Sequence, residues 1–123
     1  MSAPIRPPVP GRPVDAMISD EAVEAALTWL RDHAVEIGKA KERTVLAGHM
    51  LKHVEALMFK ESDGKSADAR KSDARTSRRY VEAIREDAVA AGEYEKLKAL
   101  REAAAARIDC WRTEQSNFRS MKI

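Results

Sequence analysis

Five cations and a single carboxylate lie within residues 70–79, and the carboxylate is that of Asp73. The cations are Arg70, Lys71, Arg75, Arg78 and Arg79. Cationic side chains hold the phosphates of a nucleic acid, and an adjacent aromatic ring such as that of Tyr80 can stack on an unpaired base. The cluster therefore predicts contact with single-stranded DNA or with a partner protein. A solvated turn, with Tyr80 in the core, explains the same residues.

A second group of polar and basic side chains lies near the C-terminus, beside Trp111 and Phe118. Its members are Arg112, Asn117, Arg119 and Lys122. Arginine and asparagine hydrogen-bond to phosphates, and the two aromatic rings offer stacking surfaces. The group favours either nucleic-acid contact or docking onto a protein.

His49 and His53 are four residues apart, so a helix carries both on one face. This spacing can present two imidazoles to Zn²⁺. Antiparallel helix pairing would bring Glu86 near His53 as a third ligand. The sequence lacks the glutamate that follows the first histidine in the helices of zinc proteases. We therefore predict a solvated or half-buried histidine pair, with no metal and no cofactor.

The sequence contains no recognisable catalytic motif. It has no Gly-rich phosphate loop, no serine nucleophile elbow and no C-x-x-C pair. Cys110 has no evident histidine partner, so we predict a small interior or half-buried residue rather than a nucleophile. Most carboxylates of the last predicted helix have a cation three or four residues away, for example Glu82 and Arg85, which is typical of a solvated face. We predict that the protein is not an enzyme.

The elements that position these groups are predicted to be helices. Charged residues make up 34% of the chain and aromatic residues 5%, and all five prolines lie in the first thirteen positions. This composition is typical of long α-helices and predicts an all-α fold. A net charge of +2 argues against a DNA-coating protein of the histone kind. Since no apolar run could cross a bilayer and the N-terminus lacks a secretory signal, we expect a cytoplasmic protein without membrane contact.

Local signals divide the chain into a leader, a helical domain and a tail. Ser19, Ser66 and either Thr76 or Ser77 can cap three helices, and Gly64 can end the first one in a left-handed conformation. We predict a Pro-rich, disordered or extended leader over 1–18, a domain over 19–119 with helices at about 19–60, 66–74 and 77–118, and a tail over 120–123.

Apolar or small residues at helical spacing define the predicted core, because steps of three and four residues align them on one face. In the first helix they are Val23, Leu27, Leu30, Ala34, Ile37, Val45, Gly48, Leu51, Val54 and Met58. In the third helix they are Tyr80, Ile84, Ala88, Ala91, Tyr94, Leu97, Leu100, Ala104, Ile108, Trp111 and Phe118.

Two long helices with a short connection predict a long antiparallel helical hairpin, with the short helix at its tip. In that hairpin the numbers of paired residues would add to roughly 139, which places Trp29 opposite Cys110 and Trp111. The apolar stripes are wider than one neighbouring helix can cover. We therefore also predict a homo-oligomer.

Three segments resemble a known group of proteins. They are 19–32, the turn Asp63-Gly64-Lys65-Ser66, and 106–119 with Trp111-Arg112, Asn117 and Arg119. These segments look like small phage and prophage proteins of about this size, often encoded near genes for single-strand-annealing recombinases. The resemblance covers 19–119 and carries over no catalytic residue. It implies phage DNA metabolism, or interference with host defence, inside a bacterial host cell.

Two functions are therefore expected. The first is a non-enzymatic accessory protein of phage DNA recombination or replication, which binds a phage or host DNA-metabolism protein, single-stranded DNA, or both. The alternative is an inhibitor that occupies a host defence nuclease or a CRISPR effector by protein–protein binding.

Overall fold

The computed structural model describes residues 18–121. The predicted leader up to residue 17 and the tail residues 122–123, including Lys122, lie outside this range. Three α-helices follow one another: α1 over Asp20–Glu61, α2 over Ala67–Thr76 and α3 over Arg78–Met121. No strand occurs between residues 18 and 121, so the all-α prediction is confirmed. No described helix contains a stretch long and apolar enough to span a bilayer.

A serine hydroxyl caps the N-terminus of each of the three helices. The hydroxyl of Ser19 accepts the backbone N–H of Ala22, at 3.1 Å, and that of Ser66 accepts the N–H of Ala69, also at 3.1 Å. Ser77 ends α2 and begins α3. Its hydroxyl accepts the N–H of the third α3 residue at 3.2 Å and donates to a carbonyl of α2 at 2.7 Å. The predicted caps are confirmed, because these bonds satisfy donors that a helix start leaves open.

The turn between α1 and α2 depends on a close approach rather than on an unusual backbone conformation. A Cβ on Gly64 would lie 3.0 Å from the backbone nitrogen of Arg70 and 3.1 Å from the Cβ of Ala69. The φ angle of Gly64 lies outside the left-handed region, so the prediction that it ends α1 in that conformation is wrong. Glycine fits this position because the first turn of α2 passes directly over it.

The described residues form two compact units. One comprises residues 18–32 and 101–121, and the other comprises residues 33–100. In the first unit, Val23 and Ala26 of α1 are buried together with Ala104 and Ile108 of α3. Partly buried side chains surround this cluster, and they are Ile18, Trp29, Leu30 and Trp111.

The two helix segments of this first unit run antiparallel. The indole N–H of Trp111 donates to Oδ1 of Asp20 at 3.0 Å. The backbone N–H of Ile18 donates to Oε2 of Glu114 at 3.4 Å. Lower residue numbers in α1 therefore pair with higher numbers in α3.

The unit formed by residues 33–100 shows the same direction of pairing. Nη2 of Arg43 lies 3.2 Å from Oε1 of Glu93. The hydroxyl of Thr44 lies within hydrogen-bond distance of the carbonyl of Ala90, at 3.2 Å. The buried side chains of this unit are Ile37, Ala40, Val54, Ala74, Ala83 and Leu97.

The predicted register is wrong by several residues. The numbers of Arg43 and Glu93 add to 136, and those of Asp20 and Trp111 add to 131, instead of about 139. Trp111 is therefore level with Asp20 rather than with Trp29. Within the unit of residues 33–100 the difference arises because α2 packs back along α1, where Arg75 reaches Glu55, so α1 continues beyond the level at which α3 begins.

The predicted core is only partly correct. Leu27 and Val45 belong to the predicted core, but their exposed fractions are 53% and 48%. In their place the small residues Ala26, Ala40 and Ala83 are buried. On α1 and α3 the expected core residues that are exposed are Leu27, Ala34, Val45, Ile84, Ala88 and Leu100. Alanines occupy the helix contacts because a small side chain lets two helices approach closely.

Candidate functional site

The basic cluster 70–79 occupies α2, the junction at Ser77 and the first turn of α3, within the unit formed by residues 33–100. Ala74 anchors α2, since its side chain is fully buried. The neighbouring cations surround this buried point. All but Arg70 are exposed, and Tyr80 is half-buried.

Arg70 has a structural partner. Its Nε donates to the carbonyl oxygen of Gly64 at 3.0 Å, and the side chain is half-buried. A charged guanidinium that bonds a loop carbonyl stabilises the conformation of the turn. No carboxylate of the described chain forms an ion pair with Arg70. It therefore adds positive charge to the cluster while it fixes the turn.

Two cations of the cluster are paired with carboxylates. Nε of Arg75 lies 3.2 Å from Oε1 of Glu55, and Nε of Arg78 lies 3.0 Å from Oε1 of Glu82. The Arg78 side chain is 92% exposed, so this ion pair is surrounded by water. Exposed pairs contribute about 0–1 kcal/mol and are readily exchanged for another anion.

The one carboxylate within the cluster offsets only one of its five positive charges. Oδ2 of Asp73 accepts the hydroxyl of Ser62 at 2.6 Å, and that same hydroxyl accepts the backbone N–H of Gly64 at 3.0 Å. Asp73 therefore orders the turn. Among residues 18–121 it makes no ion pair with an arginine or lysine of the cluster.

Lys71 and Arg79 are the cations of the cluster that are exposed and have no ion pair with any described residue. Lys71 stands one helical turn before Arg75 on α2, and Arg79 is the second residue of α3. Unpaired surface cations attract phosphates and carboxylates without first losing a partner. These two residues therefore form the most accessible part of the cluster.

The C-terminal group belongs to the unit of residues 18–32 and 101–121. Arg112 lies 3.9 Å from Oδ1 of Asp109, and Nε of Arg119 donates to the carbonyl of Gln115 at 3.3 Å. Asn117 is exposed. The indole N–H of Trp111 is occupied by Asp20. This group thus offers one exposed amide and two arginines that bond within their own helix.

The histidine pair has no metal-binding environment in the described part of the chain. His49 and His53 are both exposed. The register set by Arg43 and Glu93 places Glu86 level with Met50, nearly a helical turn from His53. The predicted proximity of Glu86 to His53 is therefore wrong. No cluster of three or more histidine, cysteine or acidic side chains within residues 18–121 could hold a metal ion.

The sequence predicted the cations of the cluster but not two contacts that the cluster makes with distant residues. Glu55 precedes Arg75 by 20 residues, and Ser62 precedes Asp73 by 11. No local spacing connects these positions. Cys110 is half-buried, in agreement with the prediction of a small interior or half-buried residue.

Comparison with known proteins gives no assignment. The chain matches no protein-family model, no curated protein and no solved structure.

Proposed function

We propose that the protein is a non-enzymatic accessory factor that binds single-stranded DNA through the basic cluster, in the context of phage recombination or replication. In this proposal α1 and α3 form one long antiparallel hairpin, oligomeric in solution, with α2 at its tip. The phage context is supported by the sequence resemblance of residues 19–119. The binding surface is supported by the charges of the cluster.

One observation carries the nucleic-acid part of the proposal. Lys71 and Arg79 are exposed cations without a carboxylate partner in the described chain, while Asp73 is bound to Ser62. A phosphate backbone provides the anions that such a surface lacks. The exposed pair of Arg78 and Glu82 can open to give a third contact.

Fluorescence anisotropy of labelled single-stranded DNA over a series of salt concentrations tests this proposal. The test variant combines Lys71→Ala and Arg79→Ala. Loss of two phosphate contacts should weaken binding several-fold at moderate salt. It should also reduce the slope of log K against log salt by about 1.4, because each contact on a single strand contributes about 0.7.

A matched control removes one lysine and one arginine elsewhere. Lys52 and Arg107 are exposed and form no ion pair with a described residue. Lys52→Ala combined with Arg107→Ala changes the net charge equally, but both residues lie outside the basic cluster, so this variant should retain the wild-type slope. Equal losses in both double variants would show that only net charge matters. Wild-type protein that shows no salt-sensitive binding would exclude the DNA role.

The rival function is inhibition of a host defence nuclease or CRISPR effector. Lys71 and Arg79 are equally suited to an acidic protein surface. Affinity capture from phage-infected cells distinguishes the two functions. An accessory factor should retain the phage annealing protein, whereas an inhibitor should retain a nuclease subunit. In either case the Lys71→Ala, Arg79→Ala variant should capture less of its partner than the control variant.

A further inference from the structure

An exposed apolar face extends across both long helices in the unit of residues 33–100. The ion pair of Arg43 and Glu93 fixes its position. Leu46 and Met50 follow Arg43 by three and seven residues, so they lie on the same side of α1. Val89 precedes Glu93 by four residues and lies on the corresponding side of α3. We call Leu46, Met50 and Val89 the apolar face.

The side chains of this face are well exposed. The exposed fractions are 59% for Leu46, 44% for Met50 and 69% for Val89. A groove of about 330 Å³ lies beside Val89, and its lining residues are Arg43, Arg85, Glu86, Val89, Ala90 and Glu93. Its two arginines and two glutamates leave no net charge. A balanced surface of this kind does not attract phosphate, so it is distinct in character from the basic cluster.

Few apolar side chains are buried within the described chain, so covering the apolar face would add to its stability. Ten hydrophobic side chains are buried, and five of them are alanines. No large side chain between residues 18 and 121 has an exposed fraction below 2%. Small domains with so little buried apolar area commonly gain stability by oligomerisation.

We propose that the apolar face is the interface of a homodimer whose two copies are related by a two-fold axis parallel to the helices. This axis stacks α1 of one copy on α3 of the other, antiparallel and in the register already present within the chain. Leu46 then meets the partner's Val89, and Arg43 meets the partner's Glu93. Each contact occurs twice, as two-fold symmetry requires. The product is a four-helix arrangement with antiparallel neighbours.

Charge complementarity selects a second copy of the chain as the occupant, because the two arginines and two glutamates beside the apolar face can pair with those of an identical surface. A two-fold axis perpendicular to the helices, passing at Val89, would stack α3 on α3. It would place Arg85 of one copy level with the partner's Glu93, since both lie four residues from Val89, but it would stack Val89 on the partner's Val89 and would not bring it to Leu46. The parallel axis instead brings Leu46 to the partner's Val89 and pairs Arg43 with the partner's Glu93 twice, with both ion pairs at the same level along the helices.

The molar mass of the full chain in solution tests the proposal, measured by sedimentation equilibrium over a range of concentrations. We expect twice the 13.7 kDa of one chain for the wild type. Leu46→Glu and Val89→Glu should each weaken dimerisation at least tenfold, since each buries a charge against an apolar side chain. Circular dichroism should show unchanged helix content, because both side chains are exposed within the chain.

Val45→Glu is the matched control. Val45 is next to Leu46, is 48% exposed and points about 100° away around α1. It should leave the dimer intact. A monomeric wild type would overturn the proposal, as would a dimer that tolerates both Leu46→Glu and Val89→Glu. Loss of the dimer in Val45→Glu to the same extent would also overturn it. None of these outcomes bears on DNA binding, which is measured separately.

Cysteine cross-linking tests the axis in a Cys110→Ser background. Chains with Leu46→Cys are mixed with chains carrying Val89→Cys and then oxidised. The parallel axis predicts more disulfide-linked dimer from the mixture than from either chain alone. Stronger cross-linking of Val89→Cys with itself would overturn this axis and indicate the perpendicular one.

Discussion

Two glycines in the unit of residues 33–100 differ in the space around them. A Cβ on Gly92, in the middle of α3, would have no heavy atom within 4 Å beyond its own helix. A Cβ on Gly64 would lie 3.0 Å from a backbone nitrogen. The first glycine is therefore conformationally costly and sterically unnecessary, whereas the second is required by a close approach.

Alanine substitutions at these two positions should have opposite effects on stability. Gly92→Ala should raise the free energy of unfolding by about 0.5–1 kcal/mol, because alanine has the better helix propensity. Gly64→Ala should lower it, since the backbone of α2 must move. Urea unfolding followed by circular dichroism measures both changes. A destabilising Gly92→Ala would mean that another helix lies directly on this glycine.

At the scale of single residues, the sequence shows the chemical type of each side chain but not which residues that side chain contacts in the folded protein. The cations of residues 70–79 are visible in the sequence. Arg70 bonds the carbonyl of Gly64 and Arg75 pairs with Glu55, whereas Lys71 has no such partner in the described chain. These two contacts form only when α2 folds against α1. Sequence spacing therefore could not show which cations are accessible.

Ser77 connects two elements. Its hydroxyl accepts the N–H of Tyr80 at the start of α3 and donates to the carbonyl of Ala74 at the end of α2. Ala74 is fully buried. The serine therefore fixes the angle between α2 and α3 next to a packed residue, at the centre of the basic cluster.

Ser77→Ala should lower the free energy of unfolding by about 1 kcal/mol, as expected for the loss of a helix cap. It should also weaken DNA binding if the angle between α2 and α3 positions the cations. Thr113→Ala is the control, since the Thr113 hydroxyl only bonds the carbonyl of Asp109 within α3. Chemical denaturation should show a change below about 0.5 kcal/mol for this exposed substitution. Equal effects of the two substitutions would contradict the capping role.

At the scale of elements, the sequence predicted the helix caps, but it did not predict the register of α1 against α3. The serine caps depend on a few consecutive residues, so sequence predicted them correctly at Ser19 and Ser66 and offered Ser77 as one of two candidates for the third helix. The register depends on α2 packing back along α1 and on small buried side chains such as those of Ala26 and Ala40. Alanine has no strong hydrophobic signal, so periodicity favoured the larger Leu27 instead.

At the scale of the whole molecule, few large apolar side chains of residues 18–121 are fully buried within one chain. Fixing a residue costs about 1–2 kcal/mol in backbone entropy. Eleven large hydrophobic side chains of the described range remain exposed, including Leu46 and Val89, while half of the ten buried ones are alanines. Each fully buried leucine or valine contributes about 1.5–3 kcal/mol. Covering the apolar face of two copies therefore adds a substantial part of a marginal total stability.

This dependence on a second copy makes thermal stability a function of concentration. If folding and dimerisation are linked, a tenfold increase in concentration stabilises the dimer by about 1.4 kcal/mol. For two chains of this size the melting temperature should rise by about 3 °C for each tenfold increase. Leu46→Glu should melt at a lower temperature that no longer depends on concentration, whereas Val45→Glu should retain the wild-type dependence. Differential scanning calorimetry over two decades of concentration measures the shift, and superimposable wild-type melts would show that each chain is stable alone.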